Sequence, residues 1–490
     1  MVPERARVPL LALACVLLRL PFLAAPLSSD EAGFLMVGAQ WSPGTSLYGD
    51  YWVDRPPLLI TIFRLADLCG GTVALRLVGI VAVVLAILAA AGIGRLAVPG
   101  SRHAPLVTAA VATVFLASPL YGARQVNGEL LAMPFVLGGL WAVLRASSGR
   151  GGARDWAVAG VLAACAVGVK QSMVEVAVAA VATVGWLVWH RRWRAAVGSS
   201  VAFAAAVAVT VGLLLGWADL RGTTPAGLWD AVVKFRGAAA EVIARSATDA
   251  NEYRAHDLVL AFLASGSVGL LVAVLPLRWG RLLRRGAPAE GDGAEERPAT
   301  DLGFLAAAVV AWEAFAVVVG GSYWIHYLVA TVPGLVLVAA ATARYRPARL
   351  RWTWATLAYA AVVAVTSTVI VLRTPSLTGP TTEIEDYLAA RSAPGDTGVV
   401  AFGFPGLLRA AGLSSPYPHL WSLPVRVRDP DLVRLTRVLS GEQAPTWVVV
   451  DGDSTTTWGV DGTAADEVLA ERYEQVRVIG DWHVFRLALR

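Results

Sequence analysis

A chain of 490 residues that is 56% hydrophobic and 16% charged, with a mean hydropathy of +0.60, is not an ordinary soluble protein, since soluble domains carry nearer a quarter charged residues. Its net charge of +5 is no nucleic-acid signature, because only two lysines occur, Lys170 and Lys234, and most arginines stand in short stretches between apolar runs. Three cysteines, Cys15, Cys69 and Cys165, form neither a disulfide framework nor a metal-ligand spacing.

Apolar runs recur at about 8–27, 73–97, 104–121, 127–145, 156–170, 173–189, 198–218, 257–277, 302–320, 325–343 and 352–372. They predict a polytopic α-helical membrane protein with about eleven transmembrane helices. The first run has the form of a signal peptide, with Arg5 and Arg7 before an apolar core and Leu-Ala-Ala-Pro after it. The acidic residues that follow make most sense when tethered, so it is read as an uncleaved helix. Residues 156–189 require a break, because one helix of that length would be about 50 Å long against a hydrocarbon core of ~30 Å. Two short helices meeting at Lys170-Gln171-Ser172 resolve this.

With that break, Arg5/Arg7, Arg95/Arg102, Arg145/Arg150/Arg154, Arg191/Arg192/Arg194, Arg278/Arg281/Arg284/Arg285 and Arg344/Arg346/Arg349/Arg351 share one side. The positive-inside rule makes that side the cytoplasm, so the N-terminus is cytoplasmic and the C-terminus extracytoplasmic. The opposite loops, including a first external loop at 28–72 and another at 219–256, hold most of the notable polar residues. The charged, Gly/Pro-rich stretch 278–300 reads as a disordered cytoplasmic linker.

After residue 372 the composition turns soluble. Thr381-Thr-Glu-Ile-Glu385 reads as a helix start, with a Thr cap and early acids. Residues 397–404 and 446–451 read as buried strands, and 476–487, broken at Gly480-Asp481, as a closing hairpin. Residues 429–439 and 464–473 have helical spacing. The prediction is a transmembrane domain over 1–372 and a small extracytoplasmic α/β domain over 373–490.

The chemistry concentrates in the first external loop. Ser28-Ser29-Asp30-Glu31 follows the first run directly, and adjacent carboxylates beside hydrocarbon are costly to keep. Asp30 and Glu31 are therefore candidate catalytic residues, with Asp30 a general base that takes a proton from an attacking hydroxyl. The same four residues also make a good helix N-cap, and the two readings are compatible. Asp54-Arg55-Pro56-Pro57 offers a planar guanidinium suited to bidentate phosphate recognition. Asp54 would orient it or ligate a metal; the structural alternative is an interfacial turn with a snorkelling arginine. Tyr48, Tyr51 and Trp52 read as an aromatic belt or as a platform for a sugar face.

Further along, Glu129, in Asn127-Gly128-Glu129, stands at an outer helix mouth and either serves the site or pairs with Arg124. Lys170 binds a phosphodiester or reaches water. His326-Tyr327 contacts substrate or leaving-group phosphate, or belongs to the belt. Asp451-Gly452-Asp453 superficially has the Asp-x-Asp metal spacing of nucleotide-sugar transferases, but it reads as a turn after a strand in a domain too small for a nucleotide fold.

Three elements together, Asp30-Glu31, Gly44-Thr-Ser-Leu-Tyr48-Gly49-Asp50 and Arg55-Pro56-Pro57-Leu58, resemble the GT-C superfamily of membrane glycosyltransferases. The resemblance is greatest to the bacterial branch related to protein mannosyltransferases and aminoarabinose transferases. It covers about residues 15–345, with Glu129 at the later acidic position and His326-Tyr327, followed by Pro333, at the external His-Tyr. It implies a polyprenyl-phosphate-linked sugar donor and inverting transfer on the outer face of the membrane. Asp30 is then the base, Glu31 its support, and Arg55 and Lys170 the holders of the lipid phosphate, with Asp54, Glu129, His326 and Tyr327 in the donor site. The chain departs from the pattern in having Arg where Lys is common before Pro-Pro and Glu where Asp is frequent at the second acidic position. Use of a divalent metal stays open, as does the acceptor, whether lipid, glycan or protein. Membrane lipids are expected partners and nucleic acid is not. The alternative is a transporter or flippase of a lipid-linked glycan, which would use ionisable residues at mid-membrane; Glu313 is the best such residue and is isolated.

Overall fold

The computed structural model describes residues 4–40, 46–148, 151–245, 249–274, 300–374 and 379–488. Gly44 and Thr45 of the first-loop motif, and all of the 278–300 stretch except Thr300, lie outside the described residues. The chain divides into two compact units, one from 1–25, 75–214 and 249–373, the other from 26–74, 215–248 and 374–490.

The first unit is helical. Among the described residues six helices of the chain are long and apolar enough to cross a membrane: Thr72–Ala97, Gly128–Ser147, Trp193–Leu220, Leu302–Val319, Ile325–Tyr345 and Pro347–Arg373. Shorter apolar helices run over Ala104–Ala117 and Glu175–Trp189. These helices are apolar around most of their circumference, the pattern of segments whose surroundings are protein on one side and lipid on the other. Trp193–Leu220 leaves Val201, Val209 and Leu213 more than 60% exposed, as a lipid-facing helix would. This is the architecture of a multi-pass membrane protein.

Several expected runs are interrupted for local reasons. The first helix, Glu4–Arg19, passes into a 3₁₀ turn, Leu20–Phe22. Arg19 is buried and donates to the carbonyls of Leu116 (2.9 Å) and Gln125 (3.3 Å). The helices Ala153–Val169 and Glu175–Trp189 meet at Lys170, whose amide still bonds to the Ala166 carbonyl at 2.9 Å. The 257–277 run is split between Asp249–Ala264 and Ser267–Val274, with Gly266 at φ +87° in the break. The 325–343 run opens as a 3₁₀ segment, Ile325–Thr331, before Val332–Tyr345.

The second unit gathers three distant pieces of sequence. The first external loop contains two helices that the sequence reading left as loop, Ser29–Ala39 and Pro57–Leu68. At 11 and 12 residues they are about 17–18 Å long, too short for a ~30 Å core, which is why hydropathy did not mark them. Residues 215–248 contribute Pro225–Trp229, a π-helical turn Asp230–Lys234, and Phe235–Arg245.

The C-terminal segment is α/β. Its four-stranded sheet has the order β1-β2-β4-β3, with β1 Gly398–Ala401, β2 Trp447–Asp451, β3 Tyr473–Ile479 and β4 Trp482–Leu487. β1 runs parallel to β2, and the other neighbours are antiparallel. β3 and β4 form a hairpin through Gly480-Asp481, and Gly480 takes the positive φ of +58° that the turn needs. Apolar residues from both strands and helices, among them Val399, Phe402, Val448, Val450, Leu435 and Leu469, make its core. Asp451-Gly452-Asp453 is a turn after β2, with the Gly452 amide bonded to the Asp481 carbonyl.

This α/β segment is fastened to the first loop within the second unit. The Trp52 amide donates to the Pro418 carbonyl (2.9 Å), and the Ser415 amide to the Tyr51 hydroxyl (2.8 Å). Arg409 pairs with Asp67 at 2.8 Å, and Arg428 ties the segment to the 215–248 piece through Asp230 at 2.5 Å. Tyr48, Tyr51 and Trp52 are all buried, so they are packing and bonding residues here rather than a lipid-facing belt.

Candidate functional site

The second unit holds Asp30, Glu31, Asp54 and Arg55. Ser28 caps the Ser29–Ala39 helix: its hydroxyl accepts from the Glu31 amide (3.3 Å), and Glu31 Oε2 accepts from the Ser28 amide (3.0 Å). This reciprocal capping box engages Glu31, which is completely buried. Asp30, beside it in the first turn, is half-buried, and among the described residues no donor or cation engages its carboxylate. Within the pair, Glu31 is engaged by the cap and Asp30 is the more exposed.

Pro56 and Pro57 open the next helix, with Pro57 at its first position where a missing N–H costs nothing. That fixes Arg55 immediately before the helix. Its Nη1 lies 2.6 Å from Asp54 Oδ1, and its guanidinium carbon 5.5 Å from the centre of the Phe34 ring. Asp54 is buried and its other oxygen pairs with Arg236, a residue the sequence reading missed although its loop had been singled out. One carboxylate therefore holds two guanidinium groups, a geometry that concentrates positive charge where an anion would bind.

The Tyr48 hydroxyl hydrogen-bonds to the Pro57 carbonyl (3.1 Å) and to Thr61 Oγ1 (3.2 Å), and Thr61 also accepts from Trp217 Nε1 at 2.8 Å. Tyr48 has a φ of +61°, a strained conformation for a bulky residue, and burial pushes its phenol up to about 12. The loop is held rigidly around Arg55.

The first unit brings together Glu129, Lys170, His326 and Tyr327. Asn127 caps the Gly128–Ser147 helix by accepting from the Leu130 amide at 2.9 Å. Glu129, in the first turn of that helix, is buried and pairs with Lys170 Nζ at 2.7 Å rather than with Arg124, which is exposed. Lys170 Nζ also sits 5.5 Å from the centre of the Tyr327 ring. His326 Nδ1 is 3.2 Å from Gln125 Nε2, and Gly122, at φ +76°, lets the chain pass close under His326, where a Cβ would lie 2.8 Å away. Among the described residues, Glu129 Oε2 and Glu175 Oε2 are buried without a hydrogen-bond partner. No group of three or more His, Cys, Asp or Glu side chains among the described residues is placed to hold a metal ion.

Residues 54–217 match the family described as dolichyl-phosphate-mannose-protein mannosyltransferase, a stretch that opens on Asp54 and includes Arg55, Glu129 and Lys170. Over 98% of its length the chain is similar in fold to ArnT from Cupriavidus metallidurans bound to undecaprenyl phosphate, covering 97% of that chain, with a TM-score of 0.57 and 15% identity. It is also similar to the arabinofuranosyltransferase AftD from mycobacteria, with a TM-score of 0.52 and 17% identity; that match takes in 100% of this chain but 42% of AftD. No curated protein sequence matches the chain. The fold is shared with ArnT and AftD, in keeping with the resemblance carried by the first-loop motifs. Together with the family match, it supports an enzyme of the glycosyltransferase class.

Proposed function

We propose that this protein transfers a sugar from a polyprenyl-phosphate donor to an acceptor at the outer face of the membrane, with inversion at the anomeric carbon. The observation that carries the reading is the division of labour in the acidic pair. Glu31 is engaged in the capping box, while Asp30 presents a carboxylate with no partner among the described residues. The match to a lipid-phosphate-dependent mannosyltransferase family, and the likeness to a protein solved with undecaprenyl phosphate, support the donor class.

In this mechanism an acceptor hydroxyl attacks the anomeric carbon on the face opposite the phosphate. Asp30 takes the hydroxyl proton as the new C–O bond forms. The bond from carbon to phosphate oxygen breaks, and its electron pair leaves with polyprenyl phosphate. Arg55, held by Asp54, stabilises the charge that develops on that leaving group. Lys170, His326 and Tyr327, with Glu129 fixing the lysine, serve donor binding. The orientation proposed with this is the one the arginine distribution favours: eleven spans over 1–372, the N-terminus cytoplasmic, and residues 373–490 outside.

The test is transfer in membranes carrying wild type or Asp30→Asn at equal expression, fed a panel of radiolabelled polyprenyl-phosphate sugars. Sugar-dependent release of polyprenyl phosphate by wild type, lost in Asp30→Asn, is the expected result. Release that survives the substitution removes Asp30 as the base.

A further inference from the structure

Trp421 stands at the N-terminus of the Ser422–Arg428 helix in the C-terminal segment, yet its indole lies on the helix that begins with the acidic pair. A Cβ on Gly33 would be 2.2 Å from Trp421 Cζ2, 2.8 Å from Cη2 and 2.9 Å from Cε2. No side chain larger than hydrogen fits beneath that ring, so the indole rests directly on helix backbone. Gly33 lies three residues after Asp30, which puts the two on one face, a turn apart. The Trp421 ring is also 5.2 Å from the Phe34 ring, and Phe34 is the ring over which Arg55 lies at 5.5 Å. One indole therefore adjoins the supports of both Asp30 and Arg55. It is itself held by a segment with four further fastenings to the unit, at Trp52, Tyr51, Asp67 and Asp230.

We propose that Trp421 is a positioning residue of the active site, and that the C-terminal segment is the brace that seats it. The indole fixes the first turn of the Ser29–Ala39 helix, and so the direction of the Asp30 carboxylate, while its contact with Phe34 sets the plane on which the Arg55 guanidinium lies. This rests on Asp30 as base and Arg55 as phosphate ligand. A cavity in place of the indole frees the helix start, and misplacement of a reacting group by about 1 Å costs on the order of 10²-fold in rate.

The experiment uses the full chain in membranes and two readouts. The first follows labelling of an Asp30→Cys, Cys69→Ser background by a membrane-impermeant maleimide. Adding Trp421→Ala should raise the labelling rate at position 30 at least threefold, and adding Trp421→Phe should leave it within twofold. The second follows polyprenyl-phosphate release with Asp30 intact. Trp421→Ala should lower kcat 10- to 100-fold with donor KM within threefold, and Trp421→Phe should restore most of it. Unchanged labelling together with unchanged kcat overturns the proposal. Unchanged labelling with a lower kcat also overturns it, because Trp421 would then act on substrate directly. Faster labelling in Trp421→Ala, in a protein that turns over no donor even as wild type, upholds the brace and removes the transferase reading instead.

Discussion

Glu313 Oε1 accepts a 2.7 Å hydrogen bond from the backbone N–H of Gly334, and a Cβ on Gly334 would lie 2.1 Å from Glu313 Oε2. The carboxylate thus caps the first turn of the neighbouring Val332–Tyr345 helix, satisfying an N–H of the kind a helix cannot satisfy internally. An acid engaged in this way is a fastening between two helices, which argues against the open mid-membrane carboxylate that a transporter would need. Replacing it by Leu strands a buried donor, at about 1–3 kcal/mol, whereas Glu313→Gln keeps an acceptor oxygen. Thermal midpoints in detergent should fall clearly for Glu313→Leu and little for Glu313→Gln.

The Lys170–Glu129 pair is the second test. Both groups are nearly buried and 2.7 Å apart, so removing one leaves the other charge uncompensated. Lys170→Ala or Glu129→Ala alone should cost roughly 3–5 kcal/mol, while replacing both by apolar residues of similar volume should cost much less. A double-mutant cycle on denaturation in detergent reads this directly. Equal, additive losses would mean the pair is not coupled.

Arg55 offers a test of chemistry rather than stability. If its fork binds the lipid phosphate, Arg55→Lys keeps the charge but not the bidentate geometry. We expect kcat/KM for the donor to drop about tenfold in Arg55→Lys and about 10²-fold or more in Arg55→Ala, as for loss of a charge-stabilising donor. Asp54→Asn, which loosens both Arg55 and Arg236, should fall between them.

His419 makes the second unit sensitive to acid. Burial, with Arg434 nearby, pushes its imidazole down to about 4 from the usual 6.5, and Tyr417, Arg428 and Asp429 are its other polar neighbours. Between those values the unfolded chain binds a proton that the folded one refuses, so stability is full above pH 6.5 and falls as the pH drops toward 4. The slope from this group approaches about 1.4 kcal/mol per pH unit. Comparing thermal midpoints at pH 7 and pH 4.5, the drop should be smaller in His419→Gln than in wild type.

What the sequence disclosed is what lies in local pattern. Apolar runs, the break at Lys170, the strands on either side of Gly480-Asp481 and the cap at Ser28 are all written within a few residues of one another. Glu31 as cap partner and Asp30 as free acid were both visible as possibilities, and only the geometry divides them. The rest depends on pairs far apart in the chain: Lys170 with Glu129, Arg236 with Asp54, Trp421 with Gly33. Tyr48 and Trp52 show the cost of local reading, since aromatic residues near a membrane edge suggest a belt until distant partners bury them. Gly33 carried no local signal at all, because the reason for a glycine there is an indole supplied by another part of the chain.

The fastening of Tyr51 to Ser415 joins residues 364 positions apart, and that of Asp67 to Arg409 residues 342 apart. At synthesis rates of about 5–20 residues per second, the first loop emerges some 20–70 s before its brace exists. Throughout that interval the helix bearing the acidic pair lacks its final support, and its apolar face is open to proteases and chaperones. The first loop is completed by residues made long after it, so a ribosome that stops between them leaves it without these fastenings.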